Sequence, residues 1–409
     1  MEELKEKYAR VLLESCLKVE KNQPLFISYN VERSDFVRIV TKIAYELGIK
    51  DIYYDVSDPY IKHEALKNLE VEELKKLPFW NKSKWDEYGK KNAAFLMLAS
   101  ETPGLMKDID SKKLAAMTKY SYETRKEFDA LRDKSKLAWC IACVPTKAWA
   151  EELYKVDYAE DILWDKIFDM CSIKEDNPVS VWNKKIKLLE KRANKLNNYK
   201  FKTLKYKSSN GTDFKIDLPK DHIWASGKQV LENGKEVLVN FPTEEIFTSP
   251  DCKSAEGIIF ASKPLAYQDN IIKDFYFVFE KGKVKEAYAE EGNDILNEMV
   301  NLCKNSDMLG EVALVPHDSP ISNTNQIFLE TLFDENAACH IALGDSFPEC
   351  VKNGPKIDKD VLFDEYHLNK CDSHVDFMVG NSDMSIIGIT EDDKEIQIFE
   401  NGNFTEIFD

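Results

Sequence analysis

Hydrophobic patterning changes period near residue 198, and that change constrains the fold more than any single motif does. Before it, short apolar runs alternate with charged amphipathic segments: "QPLFISY" (24–30), "DIYYDV" (51–56), "AAFLML" (93–98) and "LAWCIACV" (137–144). Runs this short, apolar throughout and separated by helix-period segments, predict strands of a mostly parallel sheet flanked by helices, an α/β domain. The segment "SDFVRIVTKIAYELG" predicts an amphipathic helix with Ser34 as N-cap and Gly48 just past its end. A lysine-rich helix, "VSVWNKKIKLLEKRANKLNN", closes this half.

After Asn198 apolar residues alternate, and Asn-Gly or Lys-Gly falls at the centre of four such stretches: "FKTLKYKSSNGTDFKIDL", "VLENGKEVLV", "YFVFEKGKVKEAYA" and "IQIFENGNFTEIF". Asn-Gly favours tight hairpins because both residues tolerate positive φ. The second half is therefore expected to be an antiparallel, strand-rich α+β domain with inserted helices such as "NDILNEMVNLCKN". The domains expected are 1–198 and 199–409, within reach of a 409-residue chain.

Charge narrows the partners. A net charge of −17 repels a phosphate backbone and argues against nucleic acid. No apolar run reaches the ~18 residues of a membrane span. The N-terminal stretch "MEELKEKYARVLLESCLKVEKNQP" has the pattern of a charged amphipathic helix without a signal-peptide core. The nine cysteines are scattered, mostly through apolar segments, as expected of reduced thiols in a cytoplasmic protein. Cys140 and Cys143 form a C-x-x-C, but inside an apolar strand, where buried thiols are the expectation.

Candidate chemistry concentrates in the second half, which holds five of the six histidines. "FPTEEIFTSPD" carries Glu244 and Glu245, "LGEVALV" carries Glu311, and "LFDENAACHIALG" carries Asp334, Glu335 and His340. In "HVDFMVG", His374 and Asp376 stand two apart and would share one face of a strand. Each alone has an ordinary structural reading: an exposed turn for Glu244-Glu245, a solvated strand edge for Glu311, a core histidine for His340, an Asp orienting a structural His at 374–376. Together, carboxylates in excess over imidazoles suit divalent ions such as Zn, Mn, Co or Mg, and such a set can hold two of them around a bridging carboxylate.

The blocks "FPTEEIFTSPD", "GEVALV", "DENAACHIALG" and "HVDFMVG" resemble, in order and spacing, those of the thermophilic-aminopeptidase family of metallopeptidases. From Glu245 to Glu311 is 66 residues, from there to His340 is 29, and to His374 a further 34. "VEKNQPLFISYN" and "WCIACVPTKAWA" extend the resemblance through the first half. The resemblance implies a metal-dependent exopeptidase acting on peptides, with two divalent ions held by Glu245, Glu311, Glu335, His340, His374 and Asp376. Glu245 is preferred to Glu244 because the family varies at the earlier position, leaving Glu244 a supporting role. The resemblance also implies a homodimer enclosing an internal cavity. Glu311 is expected to bridge the ions or to act near the attacking water.

Departures from the family pattern are informative. A tyrosine usually follows the "HIALG" histidine by seven residues and is thought to serve catalysis; Phe347 stands there instead. Cys371 replaces a serine before the His374 strand, a weaker hydrogen-bond donor. His317, in "VPHDSPIS", and Tyr366 and His367, in "DEYHLN", are further candidates to line the substrate site. Two rival functions stay open: a degenerate homologue that keeps metal but has lost useful peptidase turnover, and a metal-dependent hydrolase of small-molecule amides.

Overall fold

A computed structural model describes residues 1–76, 78–100, 102–267 and 270–409. Contacts group the chain into two compact units, Met1–Asn183 with Lys228–Pro242, and Lys184–Gly227 with Thr243–Asp409.

In the first unit, strands β1 (Leu25–Asn30), β2 (Ile52–Ser57), β3 (Ala94–Ala99) and β4 (Trp139–Cys143) run parallel in the order β4-β3-β1-β2. The inner strands are apolar because helices cover them: Leu25, Phe26, Ile27, Phe95 and Leu96 are fully buried. Phe26 packs against Trp85 and Phe95 in one aromatic cluster. Edge strand β2 exposes Tyr54 and Val56. The helix Ser34–Glu46 buries Phe36, Val37, Val40, Ile43 and Ala44, one stripe at helical spacing. Its expected cap is displaced. Ser34 is already helical and donates to the Val31 carbonyl, while the Asn30 side chain caps a preceding 3₁₀ turn by accepting from the Glu32 N–H. Cys140 and Cys143 are buried.

The hairpin of "VLENGKEVLV", Lys228–Val230 with Glu236–Leu238, belongs to this first unit although it follows residue 199. The chain runs on from it into Asn240–Phe241, which pairs in parallel with β4 and extends that sheet.

The second unit contains two antiparallel sheets. The larger has nine strands among the described residues and includes three expected hairpins: Phe201–Lys207 with Asp213–Asp217, Asn270–Glu280 with Lys283–Glu291, and Glu395–Glu400 with Asn403–Phe404. The smaller comprises β5 (Ala225–Ser226), β6 (Ile246–Thr248), β7 (Leu309–Leu314), β8 (His340–Gly344) and β9 (His374–Met378), in the order β9-β8-β7-β6-β5. The pleat divides its residues. Val312, Leu314, Ile341, Leu343 and Phe377 point into the core shared with Phe275, Phe277 and Leu296. Full burial of each such side chain contributes ~1.5–3 kcal/mol. Their neighbours therefore point the other way. Among the described residues, no helix is long and apolar enough to cross a membrane.

Candidate metal centre

Strand register assembles the polar face. Ala342 of β8 pairs with Glu311 on one side and with Asp376 on the other, so the three form a row across β7, β8 and β9. Two strand spacings separate the carboxylate-bearing backbones by roughly 10 Å. The alanine between them leaves that gap to their side chains. Two residues to either side of Ala342, His340 pairs with Ala313 and Gly344 faces His374. Small residues thus alternate with ligand-type residues across the sheet. Glu245 enters from the residue just before β6, and Glu335 ends the helix Thr331–Glu335.

Backbone fit is tight at the far end of β7. A bulge falls between Leu309 and Glu311, and a Cβ on Gly310 would lie 2.2 Å from the Asp345 carbonyl oxygen. Only glycine lets the strands approach so closely. That same carbonyl accepts the His374 Nδ1–H at 2.8 Å, and the Ala338 carbonyl accepts the His340 Nδ1–H at 3.2 Å. Each backbone acceptor fixes a tautomer, leaving Nε2 to face the carboxylates.

Two sets of ligand-type atoms result, each lying within 4.8 Å of one another: Glu245, Glu311 and His340, and Glu311, His374 and Asp376. Glu311 belongs to both. His340 Nε2 is 3.4 Å from Glu245 Oε2, and His374 Nε2 is 3.2 Å from both Glu311 Oε2 and Asp376 Oδ1. Accessibility is graded: the His340 side chain is 1% exposed and that of His374 26%. The β9 side of the cluster is therefore the open one.

Electrostatics show the strain of so many charges together. Burial pushes the Glu311 carboxyl up to about 7 although His374 opposes the rise. Glu335 is pushed well above its ordinary value by burial and by the charges of Asp376 and Glu245. Burial would lower His340, but Glu245, Glu311 and Asp376 outweigh it and raise it to about 10. His374 is raised well above its ordinary value in the same way, chiefly by Asp376 and Glu311. Burial would raise Asp376, but His374 holds it down to about 2. Here the imidazoliums balance the carboxylates, the role a divalent cation plays in a metalloprotein. The donor set fits such ions. Among the described residues, Asp376 Oδ1 is buried and accepts no hydrogen bond, although His374 Nε2 lies 3.2 Å away.

Other candidates lie in different surroundings. The Glu244 carboxylate pairs with Lys185, and the Glu244 N–H donates to Asn336 Oδ1 at 2.7 Å. Phe347 lies beside the cluster, its ring centroid 5.1 Å from that of His374 and 5.3 Å from that of Phe247. The Cys371 N–H donates to Asp345 Oδ1 at 3.2 Å, so Cys371 touches the segment whose carbonyl holds His374. Tyr366 packs in a separate apolar cluster with Val351, Leu362 and Leu368. His367 pairs with Asp251, Nδ1 to Oδ2 at 2.8 Å, and the His317 N–H donates to the Gly402 carbonyl. Among the described residues, no hydrogen bond or ion pair joins Tyr366, His367 or His317 to the cluster. Sequence reading missed Asp345, Ala338 and Asn336. The first two act through backbone carbonyls, which leave no side-chain trace. Asn336 is legible only as the neighbour of Glu335; its fully buried amide also donates to the Leu332 carbonyl at 2.9 Å.

A carboxylate-rich cluster with two oriented imidazoles, open on one side, is the equipment of a metal-dependent hydrolase. Residues 1–404 match the family described as thermophilic metalloprotease (M29), and the chain belongs to that family. It is similar to aminopeptidase AmpS of Bacillus subtilis (strain 168), 37% identical over 400 residues that cover 97% of each chain. It is 34% identical to aminopeptidase 2 of Geobacillus stearothermophilus over 402 residues, 98% of this chain and 97% of that one. Among solved structures, wild-type AmpT from Thermus thermophilus matches with a TM-score of 0.91 at 29% identity, over 98% of this chain and 99% of that one.

Proposed function

We propose that the protein is a metal-dependent aminopeptidase that removes N-terminal residues from peptides, with two divalent cations (Zn, Co, Mn or Mg) held by Glu245, Glu311, Glu335, His340, His374 and Asp376. The observation that carries this reading is the pair of three-residue groups that share Glu311. Two such cations supply an activated water and a polarised peptide carbonyl. The residues do the rest. Glu311, common to both groups, would help to hold both cations. His340 and His374, fixed by the Ala338 and Asp345 carbonyls, aim their Nε2 lone pairs at the two halves. Glu335 lies outside both groups; burial beside Asp376 and Glu245 favours its protonated form, and a cation there would offset that repulsion and let it complete the donor set as a carboxylate. The partly exposed His374 side admits the peptide, whose free amino group would pair with one of the cluster carboxylates. That charge pairing favours cleavage at the N-terminus over internal cleavage.

Similarity to aminopeptidases over nearly the whole chain supports the same substrate class. A homodimer, carried from the family resemblance, is tested by solution mass at twice that of one chain. The activity test uses metal-stripped protein reloaded with Co, Mn or Zn and offered amino-acid p-nitroanilides with free or blocked amines. Cleavage of the free-amine substrates alone is expected. Bound metal with no cleavage would establish a degenerate homologue, and cleavage of blocked amides alone a different hydrolase.

A further inference from the structure

Seven of the nine cysteines are buried, and the two half-exposed ones, Cys303 and Cys371, are in contact with each other. Their sulfurs lie 3.3 Å apart across 68 residues of sequence. Ser373 Oγ stands 3.3 Å from Cys371 Sγ and 3.6 Å from Cys303 Sγ. The backbones that carry the two thiols are already fastened together. Asn305 Nδ2 donates to the Lys370 carbonyl at 3.0 Å, and Asn369 Nδ2 returns a 3.0 Å bond to the Asn305 carbonyl. The Cys303 N–H is held by Ser306 Oγ, and the Cys371 N–H by Asp345 Oδ1. A disulfide of about 2.05 Å then requires the sulfurs to close from 3.3 Å.

We propose that Cys303 and Cys371 form a thiol–disulfide site that hydroperoxides close and small dithiols reopen. One thiolate attacks the hydroperoxide; its S–O bond forms, the O–O bond breaks and an alcohol leaves. The second thiol attacks the resulting sulfenic sulfur, the S–S bond forms, and hydroxide leaves and takes up a proton as water. Two thiols together lose two electrons and two protons, and the hydroperoxide is reduced to alcohol and water. Burial raises the Cys371 thiol, which slows the first step at neutral pH. Contact between the sulfurs makes the second step effectively intramolecular and outpaces further oxidation. Closure staples the turn after the helix Asn293–Val300 to the segment leading into β9. There the Asp345 N–H donates to the Ser373 carbonyl at 2.7 Å, one residue before His374.

The proposal is independent of the aminopeptidase reading. Its test treats the reduced full-length protein with stoichiometric tert-butyl hydroperoxide, alkylates with iodoacetamide, and maps peptides by mass. Cys303 and Cys371 are expected to lose alkylation together, in one disulfide-linked peptide pair lacking two hydrogens, and to regain it with dithiothreitol. The oxidised protein should melt about 5 °C or more above the reduced one, since the bond closes a long loop. In Cys303→Ser, given a second equivalent of the hydroperoxide, the remaining thiol should proceed through sulfenic to sulfinic acid with no rise in Tm. Continued alkylation of both cysteines after peroxide would overturn the proposal. So would sulfinic acid on Cys371 of the wild type, or a crosslink that leaves Tm unchanged.

Discussion

At residue 347 a phenyl ring lies against the His374 imidazole, at the position where the family resemblance implies a tyrosine. If that hydroxyl serves the developing oxyanion, restoring it should raise kcat and leave KM nearly unchanged. Phe347→Tyr is expected to gain up to ~100-fold in kcat on amino-acid p-nitroanilides, since one oxyanion donor is worth ~100- to 1,000-fold. Equal or lower kcat in a folded, metal-saturated variant would show that the site does not lack this donor. His374→Ala and Asp376→Ala should each lose more than ~100-fold in activity with the fold retained, because both point away from the core. Wild-type turnover and metal content in either would make the pair structural. That the two share one face was legible from strand periodicity, since i and i+2 point the same way. The choice between Glu244 and Glu245 was not legible in the same way. It turns on Lys185, far away in sequence, which pairs with the Glu244 carboxylate.

Hairpins and the parallel sheet could be read element by element because their causes are local: turn residues that tolerate positive φ, and apolar runs of strand length. What pairs with what is a non-local property. The hairpin at 228–238 looks like its neighbours in sequence, yet it packs with the first unit because the strand after it pairs with β4. Ser34 has the chemistry of a cap, but Asn30 begins a 3₁₀ turn earlier and takes that role. Strand β8 gives the sharpest test at this scale. Gly344 has φ +111°, and a Cβ there would stand 2.0 Å from the Ser373 carbonyl oxygen. Gly344→Ala must therefore displace the start of β9 and His374 with it. A stability loss of at least about 1–3 kcal/mol is expected for the backbone strain alone, measured by urea denaturation. Activity should fall alongside it. A wild-type urea midpoint would mean that the two strands separate without cost.

For the molecule as a whole, the cluster couples folding to protons and to cations. Glu311, raised to about 7 from 4.5, binds its proton more tightly folded than unfolded. Such a group makes the metal-free protein lose stability as pH climbs from about 4.5 through 7. Glu335 and Asp334, both raised by burial, act in the same direction, and His340, raised to about 10, extends the loss through its own range. Asp376, held down to about 2, works oppositely, and its contribution disappears only as pH falls below its unfolded value. Above pH 5 the metal-free protein should therefore melt at progressively lower temperature. A divalent cation reverses the trend, because it replaces the protons that keep the carboxylates tolerable and competes with them for the same oxygens. The rise in Tm on adding Zn, Co or Mn after chelation should accordingly be small near pH 5.5 and grow toward pH 8. Scanning calorimetry of chelated and reloaded protein across that range gives the comparison. A cation-induced rise that is flat or shrinking with pH would mean that the ion binds somewhere other than these carboxylates and imidazoles.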